Sequence, residues 1–398
     1  LNKIKKKIAI IGVGYVGLPL LVSLNKHYEC VGYDISKNRI NELKKHEDST
    51  NTFKKSELKN ILFTSNLSDL KAYNTFIVTV PTPVKTNNKP DLTYLMNACI
   101  EISKVIKVND LIVFESTYAP FTTKTICIKM IEKKSKIKSN IFYFGYSPER
   151  LNPGDKTKDL KQLTKIIASE TAIGIKSMKE IYSKICKKIY VVKNIEVAES
   201  AKIIENIQRD INIAYFNNLT EIFSRLNIDS SEIFKAASTK WNFINMKPGL
   251  VGGHCIPVDP YYFQDLLIKK KIKSDFLISG RKINENFKYF VIEKIKKFIK
   301  SNFKKKNIKL IFIGLAYKPN VPDFRNSKSI EIYQYFKKKN KNVKAYDPYL
   351  KKNNRQYLTE KEYKKYSKKA DLIIKLVNHN YFNNKKFNNT ININKLLS

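Results

Sequence analysis

The feature that most restricts the fold of this chain is a glycine-rich turn near its N-terminus. An apolar run from Lys7 to Ile11 predicts a buried parallel strand and leads directly into Gly12-Val13-Gly14-Tyr15-Val16-Gly17. An apolar helix pattern follows from Leu18 to Leu24, and Cys30 to Asp34 predicts a second strand that ends in an acid. This order of strand, G-x-G-x-x-G, helix, strand and acid predicts a Rossmann βαβ unit that binds a dinucleotide.

Each position in this unit has a physical role. Gly12 makes the turn, Gly14 lets a pyrophosphate approach the backbone, and Gly17 lets the helix pack closely against the strand. The N-terminus of the helix offers free N–H groups to phosphate. Asp34 can accept hydrogen bonds from both hydroxyls of an adenosine ribose and would repel a 2′-phosphate, so the sequence predicts NAD rather than NADP.

Further strands are predicted at Asn74 to Val80, Leu111 to Phe114 and Ile141 to Gly145, the third being the expected last strand of the first domain. Ligands of doubly wound sheets bind beyond the carboxyl ends of the strands. Thr82 and Thr117 follow the first two of these strands, so they are predicted to line the cofactor cleft. Simple capping of the strand ends is the alternative.

The loop after the third of these strands, Tyr146 to Gly154, is punctuated by Pro and Gly and is expected to be rigid. Glu149 in this loop could act as a general base or position a water molecule. It could equally be a surface acid.

The longest helix signal runs from Glu196 to Leu226. Lys202 and Asn206 lie one turn apart on it, in a polar stripe that continues to Arg209 or Asp210. Because the helix is apolar on more than one side, these polar groups need a partner. The partner is either a structural salt bridge or an oxyanion that develops during a reaction.

A second α/β pattern occupies the C-terminal part. Strands are predicted at Ile308 to Gly314, Val343 to Pro348 and Ala370 to Val377, with a helix from about Ser329. The pattern repeats the start of the chain, but its first loop lacks the second and third glycines. We therefore expect a Rossmann-like domain that does not itself hold a dinucleotide. The predicted domains are residues 1–190, a central helical part at 191–300, and 301–398, within an α/β fold of two doubly wound domains joined by a long helix.

A thiol segment, Gly252-Gly253-His254-Cys255-Ile256-Pro257-Val258-Asp259-Pro260, lies between the two α/β patterns. Two glycines allow a close backbone approach to a ligand, and two prolines stiffen the backbone after the thiol. Cys255 is thereby presented as a nucleophile for a carbonyl carbon, with Asp259 four residues later. The alternative is a buried structural cysteine.

Composition restricts the class of protein. The 398 residues are 42% hydrophobic and contain no apolar run long enough for a membrane span, so we expect globular domains. Five cysteines without close spacing predict neither a disulfide framework nor a metal site, and a cytoplasmic protein is expected. The net charge of +40 comes mostly from Lys spread over the whole chain, so nucleic-acid binding is the less favoured alternative.

An NAD site and a nucleophilic thiol on one chain imply one chemistry. A hydride leaves an alcohol carbon for NAD, Cys255 captures the resulting carbonyl, a second hydride leaves the thiohemiacetal, and water cleaves the thioester. A two-electron hydroxy-acid dehydrogenase would share the N-terminal domain without needing the thiol.

These motifs together closely resemble the UDP-glucose/GDP-mannose dehydrogenase family, from Lys7 to about Val377. The residues that carry the resemblance are Gly12 to Gly17, Val80-Pro81-Thr82-Pro83, Glu115-Ser116-Thr117, Ser147-Pro148-Glu149-Arg150, Lys202 with Asn206, Gly252 to Cys255, and Asp323-Phe324-Arg325.

The resemblance implies roles for individual residues. Cys255 would be the nucleophile, and Lys202 and Asn206 would hold the oxyanion. Asp259 would be the acid near the attacking water, and Glu149 would assist thioester hydrolysis. The family's long helix forms a dimer interface, which implies a homodimer.

The resemblance also implies binding residues, with Thr117 ordering water near the nicotinamide. Those expected to bind NAD are Gly12, Gly14, Tyr15, Val16, Gly17, Asp34, Arg39, Thr82, Thr117 and Arg325. Those expected to bind a UDP-sugar are Glu149, Arg150, Leu151, Asn152, Lys202, Asn206, Gly249, Gly252, Gly253, Tyr317 and Lys318.

Within the family the chain is most similar to bacterial UDP-N-acetylhexosamine dehydrogenases, which make uronic acids for surface polysaccharide. Its loop has Pro153 where UDP-glucose enzymes usually carry a second glutamate. The lost carboxylate removes bulk and charge, which is compatible with an acetamido group. UDP-glucose is the alternative substrate, and the sequence leaves open the configuration of the N-acetylhexosamine.

Overall fold

The computed structural model describes residues 6–50, 52–150, 162–304, 307–350, 356–383 and 389–397. The chain folds into two compact units, the first formed by residues 1–205 and 261–272 and the second by residues 206–260 and 273–398. No helix within the described ranges is long and apolar enough to cross a membrane.

The first unit is built on a sheet that has eight strands among its described residues. These strands are Lys7–Ile11 (β1), Glu29–Tyr33 (β2), Leu62–Thr64 (β3), Thr75–Val78 (β4), Leu111–Phe114 (β5), Tyr143–Tyr146 (β6), Thr164–Ser169 (β7) and Lys188–Val191 (β8). Their order is β3-β2-β1-β4-β5-β6-β7-β8, and neighbours are parallel apart from the antiparallel pair β6 and β7. The first six strands have the order of a doubly wound nucleotide-binding sheet.

Apolar strands and an apolar first helix form the core of this unit. Ile8, Ile10 and Val113 of the central strands pack in one buried cluster with Leu20 and Leu21. Full burial of side chains of this size stabilises a fold by about 1.5–3 kcal/mol each. The helices of the sheet connections are Gly17–Leu24 (α1), Lys37–Lys44 (α2), Thr93–Ser103 (α3), Lys129–Ser135 (α4) and Ala172–Tyr182 (α5).

Helices of very different lengths lie between the two sheets in the sequence. They are Ile195–Arg225 (α6), Ser230–Ala237 (α7), Asp259–Lys269 (α8) and Asp275–Asn302 (α9). Within the second unit α6 is tied to α9 by a buried polar cluster, in which Arg281 pairs with Asp210 and Asn284 donates to the same carboxylate at 2.7 Å. Asp210 therefore has a structural ion pair.

The second unit carries a smaller sheet, parallel throughout and four-stranded over the part of the chain that is described. Its strands are Leu310–Ile313 (β9), Val343–Tyr346 (β10), Leu372–Lys375 (β11) and Thr390–Asn392 (β12), in the order β10-β9-β11-β12. Its remaining helices are Lys328–Lys339 (α10), Glu360–Ser367 (α11) and Ile393–Leu397 (α12). Phe312 and Ile374 of this sheet join Phe287 and Ile295 of α9 in one apolar core.

The predicted fold class is confirmed: the chain has two Rossmann-like, mainly parallel sheets and a long central helix. The helix is predicted at Glu196 to Leu226 and observed at Ile195–Arg225. The prediction that Ile141 to Gly145 forms the last strand of the first domain is wrong, because β7 and β8 extend the sheet. Lys165 interrupts the apolar pattern of β7, and its burial depends on a carboxylate from a distant part of the sequence.

Candidate active site

The N-terminal glycine turn has the geometry of a phosphate-binding loop. Gly12 adopts a φ of +94°, which favours glycine. A Cβ at Gly17 would lie 1.9 Å from the Gly12 carbonyl oxygen, so this position tolerates no side chain. A Cβ at Gly14 would meet none of the described atoms within 4 Å. The backbone is therefore open to a ligand at Gly14, where α1 is about to begin.

Asp34 lies beside this turn at the end of β2. Its Oδ2 accepts the Val13 N–H at 3.1 Å and its Oδ1 accepts the Ser36 N–H at 2.9 Å. The residue is only partly buried, and each carboxylate oxygen can accept a second hydrogen bond. Asp34 thus retains the capacity to bind ribose hydroxyls. These residues, with the partly exposed Tyr15 and Val16, fit a dinucleotide.

Arg39, which is predicted to bind the cofactor, stabilises the same turn. Its Nε donates to the Val13 carbonyl at 3.1 Å, and its guanidinium pairs with Glu42 and Asp48 at 2.6 and 2.9 Å. These contacts hold the turn from α2. Direct binding of NAD by Arg39 stays a prediction.

The two predicted threonines lie together at the carboxyl edge of the first sheet. Thr82 follows β4 and donates through Oγ1 to the carbonyl of Thr117, which follows β5. Both residues are partly exposed. The structure therefore brings these two positions together at the edge where such sheets bind ligands.

Glu149 is buried, so the alternative of a surface acid is wrong. Its Oε1 accepts the Arg150 N–H at 2.7 Å, and its Oε2 lies 3.6 Å from the Lys165 ammonium. Arg150 itself pairs with Glu205 and donates to the Thr164 carbonyl at 3.2 Å. Leu151, Asn152 and Pro153 lie outside the described residues.

Lys202 and Asn206 are one turn apart on α6. Asn206 is buried, and its Nδ2 donates to Asp259 Oδ2 at 2.6 Å. Lys202 is partly buried and forms no ion pair among the described residues. A structural salt bridge for Lys202 is therefore not found in the described part of the chain, and its ammonium can serve a substrate oxygen.

The thiol segment is held tightly against the loop that follows β9. Gly253 has a φ of +88°, and a Cβ there would lie 2.8 Å from the Tyr317 ring. Its N–H donates to the Arg325 carbonyl at 3.0 Å, and its carbonyl accepts from Asn326 at 2.8 Å. Gly252 is similarly crowded, by Asn326 and Tyr317. The glycines thus allow close backbone packing within the second unit, and this packing fixes the position of the thiol segment.

Cys255 is partly exposed, whereas Cys30, Cys99, Cys127 and Cys186 are buried. Its carbonyl accepts the Val258 and Asp259 N–H groups at 3.0 and 2.9 Å, which starts α8. The backbone of Cys255 is therefore fixed one turn before the Asn206–Asp259 pair. The alternative of a buried structural cysteine does not hold for this residue.

His254, next to the thiol, is a residue whose role sequence reasoning missed. Its Nδ1 lies 2.9 Å from Arg325 Nη2 and 3.4 Å from Asp323 Oδ2. Burial lowers the pKa of His254, but hydrogen bonds to Asp323 and the Cys255 thiol raise it more, to about 9. When protonated, Nδ1 donates to Asp323, and when neutral it accepts from Arg325. At neutral pH a cation therefore lies beside Cys255. A His directly before a candidate nucleophile was the available signal.

Asp323 and Arg325 form a close pair in the same loop. Arg325 donates to the Asp323 carboxylate through Nε and Nη2, at 2.9 and 2.6 Å. Burial raises the pKa of Asp323, but the hydrogen bonds from His254 and Arg325 lower it well below its usual range. Asp323 is therefore ionised and orients both cations. Arg325 remains about half exposed, and NAD binding by it stays a prediction.

The other predicted sugar-binding residues of the second unit contact either α6 or the thiol segment and the loop beside it. Gly249 exchanges two hydrogen bonds with the Asn217 side chain of α6, at 2.8 and 3.1 Å. Tyr317 packs on the thiol segment, and the Lys318 ammonium lies 5.7 Å from the Tyr317 ring centre. The predicted site residues thus form one set in the first unit and another in the second.

The chain matches known families and structures over nearly its whole length. Models of the UDP-glucose/GDP-mannose dehydrogenase family match residues 6–186 (NAD binding domain), 196–286 (central domain) and 311–396 (UDP binding domain). These segments fall inside the predicted domains 1–190, 191–300 and 301–398, whose boundaries stay predictions.

Individual proteins that are similar to this chain support the same family assignment. Protein CapL of Staphylococcus aureus is 40% identical over 96% of this chain and 92% of its own length. UDP-N-acetyl-D-glucosamine 6-dehydrogenase of Pseudomonas aeruginosa is 41% identical over 86% of this chain and 83% of its own. The structure of UDP-D-ManNAc dehydrogenase from Pyrococcus horikoshii has a TM-score of 0.85 at 29% identity, covering 96% of this chain and 91% of that one. The chain belongs to the UDP-glucose/GDP-mannose dehydrogenase family and is an NAD-dependent nucleotide-sugar dehydrogenase.

Proposed function

We propose that this enzyme oxidises carbon 6 of a UDP-N-acetylhexosamine to the uronic acid in two successive two-electron steps. The observation that carries the proposal is the environment of Cys255, a partly exposed thiol in a segment that hydrogen bonds from the loop after β9 hold in place. NAD, when bound, accepts a hydride from the substrate carbon.

The first oxidation converts the alcohol at carbon 6 to an aldehyde, with loss of a hydride and the hydroxyl proton. The Cys255 thiolate then bonds to the aldehyde carbon and forms a thiohemiacetal. Donors from Lys202 and Asn206 would stabilise the charge that develops on the oxygen. The hydrogen bond from Asn206 to Asp259 supports this role, because it fixes the amide.

The second oxidation removes a hydride from the thiohemiacetal carbon and leaves a thioester on Cys255. Water then bonds to the carbonyl carbon, the carbon–sulfur bond breaks, and the thiolate is restored. Asp259 would lie near this water, and Glu149 would take its proton. Two NAD are consumed for each sugar, and the carboxylic acid is released.

The N-acetylhexosamine preference is supported by two of the proteins named above, the UDP-N-acetyl-D-glucosamine 6-dehydrogenase and the UDP-D-ManNAc dehydrogenase. The loop at Glu149 to Gly154 lacks the second glutamate of UDP-glucose enzymes. We expect a UDP-N-acetylhexosamine to exceed UDP-glucose in kcat/KM by at least about tenfold, or about 1.4 kcal/mol of transition-state discrimination.

A panel of UDP-sugars, followed by NADH absorbance and mass spectrometry of the product, tests this proposal. The expected product is the C6 acid of an N-acetylated sugar. A preference for UDP-glucose would reject the substrate assignment alone. Completion of both oxidations by Cys255→Ser would reject the thioester route, because a serine alkoxide is a poor leaving group at neutral pH.

The same proposal includes a cytoplasmic homodimer that serves capsule or other surface-polysaccharide synthesis. Support for the dimer comes from α6, where Ile204, Tyr215 and Ile222 are 55%, 56% and 42% exposed. Exposed apolar side chains on one long helix are typical of a helix that packs against a second chain. A fully active monomer in light scattering at micromolar concentration would contradict the dimer.

A further inference from the structure

A buried lysine lies next to Glu149 in the first unit. Lys165 belongs to β7, and its side chain is 4% exposed. Its ammonium is 2.7 Å from Glu115 Oε2 and 3.6 Å from Glu149 Oε2. Glu115 directly follows β5, and its side chain is wholly buried. The Lys165 ammonium therefore lies between two carboxyl groups, one after β5 and one after the neighbouring strand β6.

Glu115 and Glu149 share the ammonium of Lys165. Two neighbouring carboxylates in a buried space repel each other when both are ionised. Burial lowers the pKa of Lys165, but Glu115 and Glu149 raise it more, so the ammonium stays charged. One carboxyl group must then take up a proton readily.

Glu115 is the carboxyl group that carries this proton. Burial raises the pKa of Glu115 to about 7, although Lys165 opposes the rise. The Tyr182 hydroxyl donates to Glu115 Oε1, and the Lys165 ammonium lies 5.0 Å over the Tyr182 ring. The titratable groups facing Lys165 are Glu115 after β5, Glu149 after β6, Tyr182 on α5 and Cys186 beyond α5.

Glu149 differs from Glu115 in its surroundings. Its carboxylate accepts the backbone N–H of Arg150, whereas that of Glu115 accepts a tyrosine hydroxyl. When Glu115 is neutral, the charge of Lys165 acts on Glu149 alone. That arrangement holds the Glu149 carboxylate in one place, which a general base requires.

We propose that Lys165 and Glu115 are positioning residues that hold the Glu149 carboxylate ready to take a proton from the water that cleaves the Cys255 thioester. The proposal rests on the proposed function, because it concerns the hydrolysis step of that reaction. As the water oxygen bonds to the thioester carbon, its proton moves to Glu149, and the carbon–sulfur bond then breaks. No electrons are transferred in this step.

The proposal predicts that hydrolysis fails while both oxidations continue. In Lys165→Met the rapid burst of NADH should persist, but steady-state turnover should fall by about 10²-fold, within the range for a general base. Intact-protein mass spectrometry should then find the acyl group on Cys255. Lys165→Arg should recover much of the turnover, and Glu149→Gln should behave like Lys165→Met. Lys188→Met, on the exposed edge of the neighbouring strand β8, is the matched control.

The pH dependence separates this role from a structural one. Glu115→Gln imitates the neutral carboxyl group, so the acidic limb of the kcat profile should move to lower pH. Removal of the ammonium in Lys165→Met should move that limb to higher pH. If Lys165→Met does not fold, Glu115→Gln still tests the positioning role, because the glutamine amide keeps the shape of the glutamate side chain.

The outcomes distinguish this inference from the proposed function. Variants that lose thermal stability but keep the wild-type pH profile and accumulate no acyl-enzyme would overturn the roles of Lys165 and Glu115. Absence of any acyl-enzyme in Glu149→Gln as well, with one NADH per sugar in the wild type, would instead overturn the thioester route itself.

Discussion

The N-terminal and C-terminal sheets each place an aspartate beside a turn that begins with a glycine of positive φ, yet they use the two aspartates differently. In the first, Asp34 is partly exposed and accepts one N–H of the turn, from Val13. In the second, Asp347 is 2% exposed and accepts two turn N–H groups, from Leu315 and Ala316, at 2.6 and 3.1 Å.

A buried histidine completes the second arrangement. His379 Nε2 lies 2.9 Å from Asp347, and its Nδ1 accepts the Asn320 N–H at 2.9 Å. Since Nδ1 is the acceptor, Nε2 carries the proton and donates to the carboxylate. Asp347 is thus occupied by protein groups, and Ala316 stands where the first turn has Gly14. The same local fold binds NAD in one sheet and stabilises a turn in the other.

The comparison is tested most strongly by removing each aspartate. Asp347→Ala leaves buried donors without an acceptor and should destabilise the second unit by about 3–5 kcal/mol. Asp34→Ala, at a partly exposed position, should cost less than about 1 kcal/mol. Urea unfolding followed by circular dichroism measures both. Equal losses of stability would contradict the distinction, and Asp347→Asn controls for side-chain size.

A smaller effect is expected on cofactor choice. Asp34→Ala should weaken NAD binding about tenfold or more, since hydrogen bonds to charged groups contribute about 1.5–3 kcal/mol. The variant should also lose discrimination against NADP, because the carboxylate no longer repels a 2′-phosphate. KM values for both cofactors provide the measurement. Equal turnover of the wild type with NAD and NADP would remove this role of Asp34.

The smallest effect is expected when the first turn is made to resemble the second. Gly14→Ala meets no described atom of the protein, so the melting temperature should stay unchanged. The added methyl group should obstruct the pyrophosphate and weaken NAD binding about tenfold, in line with the cost of mild overpacking. Gly314→Ala is the matched change, and there the Cβ would lie 2.2 Å from the Val377 carbonyl oxygen. Gly314→Ala should therefore destabilise the protein. An unchanged NAD affinity in Gly14→Ala would contradict the role of Gly14 in admitting the pyrophosphate.

Local patterns were sufficient to predict the central strands of both sheets. The order of apolar strand, glycine turn and acid predicted β1, β2, β9 and β10, because these features lie within about 30 residues of each other. Short edge strands such as β3 and β12 have three residues each, too few for a periodic pattern. β7 was missed because its buried lysine is compensated by Glu115, fifty positions earlier.

Side-chain contacts between segments that are distant in the sequence could not be predicted from the sequence. Asn206 and Asp259 were predicted separately, but their hydrogen bond joins residues 53 positions apart. The Tyr-Asp pair at 33–34 recurs at 346–347, and this repetition predicted similar turns. The burial of Asp347, however, depends on His379, which lies 32 positions later. Such partners depend on tertiary packing, which a local pattern does not contain.

Counting NADH per sugar tests the central claim most directly. In the proposed function, the NAD-binding turn and the accessible thiol of Cys255 serve both oxidations on one enzyme, and the aldehyde is held on Cys255. Complete conversion of a limiting UDP-N-acetylhexosamine should therefore yield two NADH per sugar, and added hydrazine should trap no free aldehyde. One NADH per sugar, with a trapped aldehyde, would contradict the account.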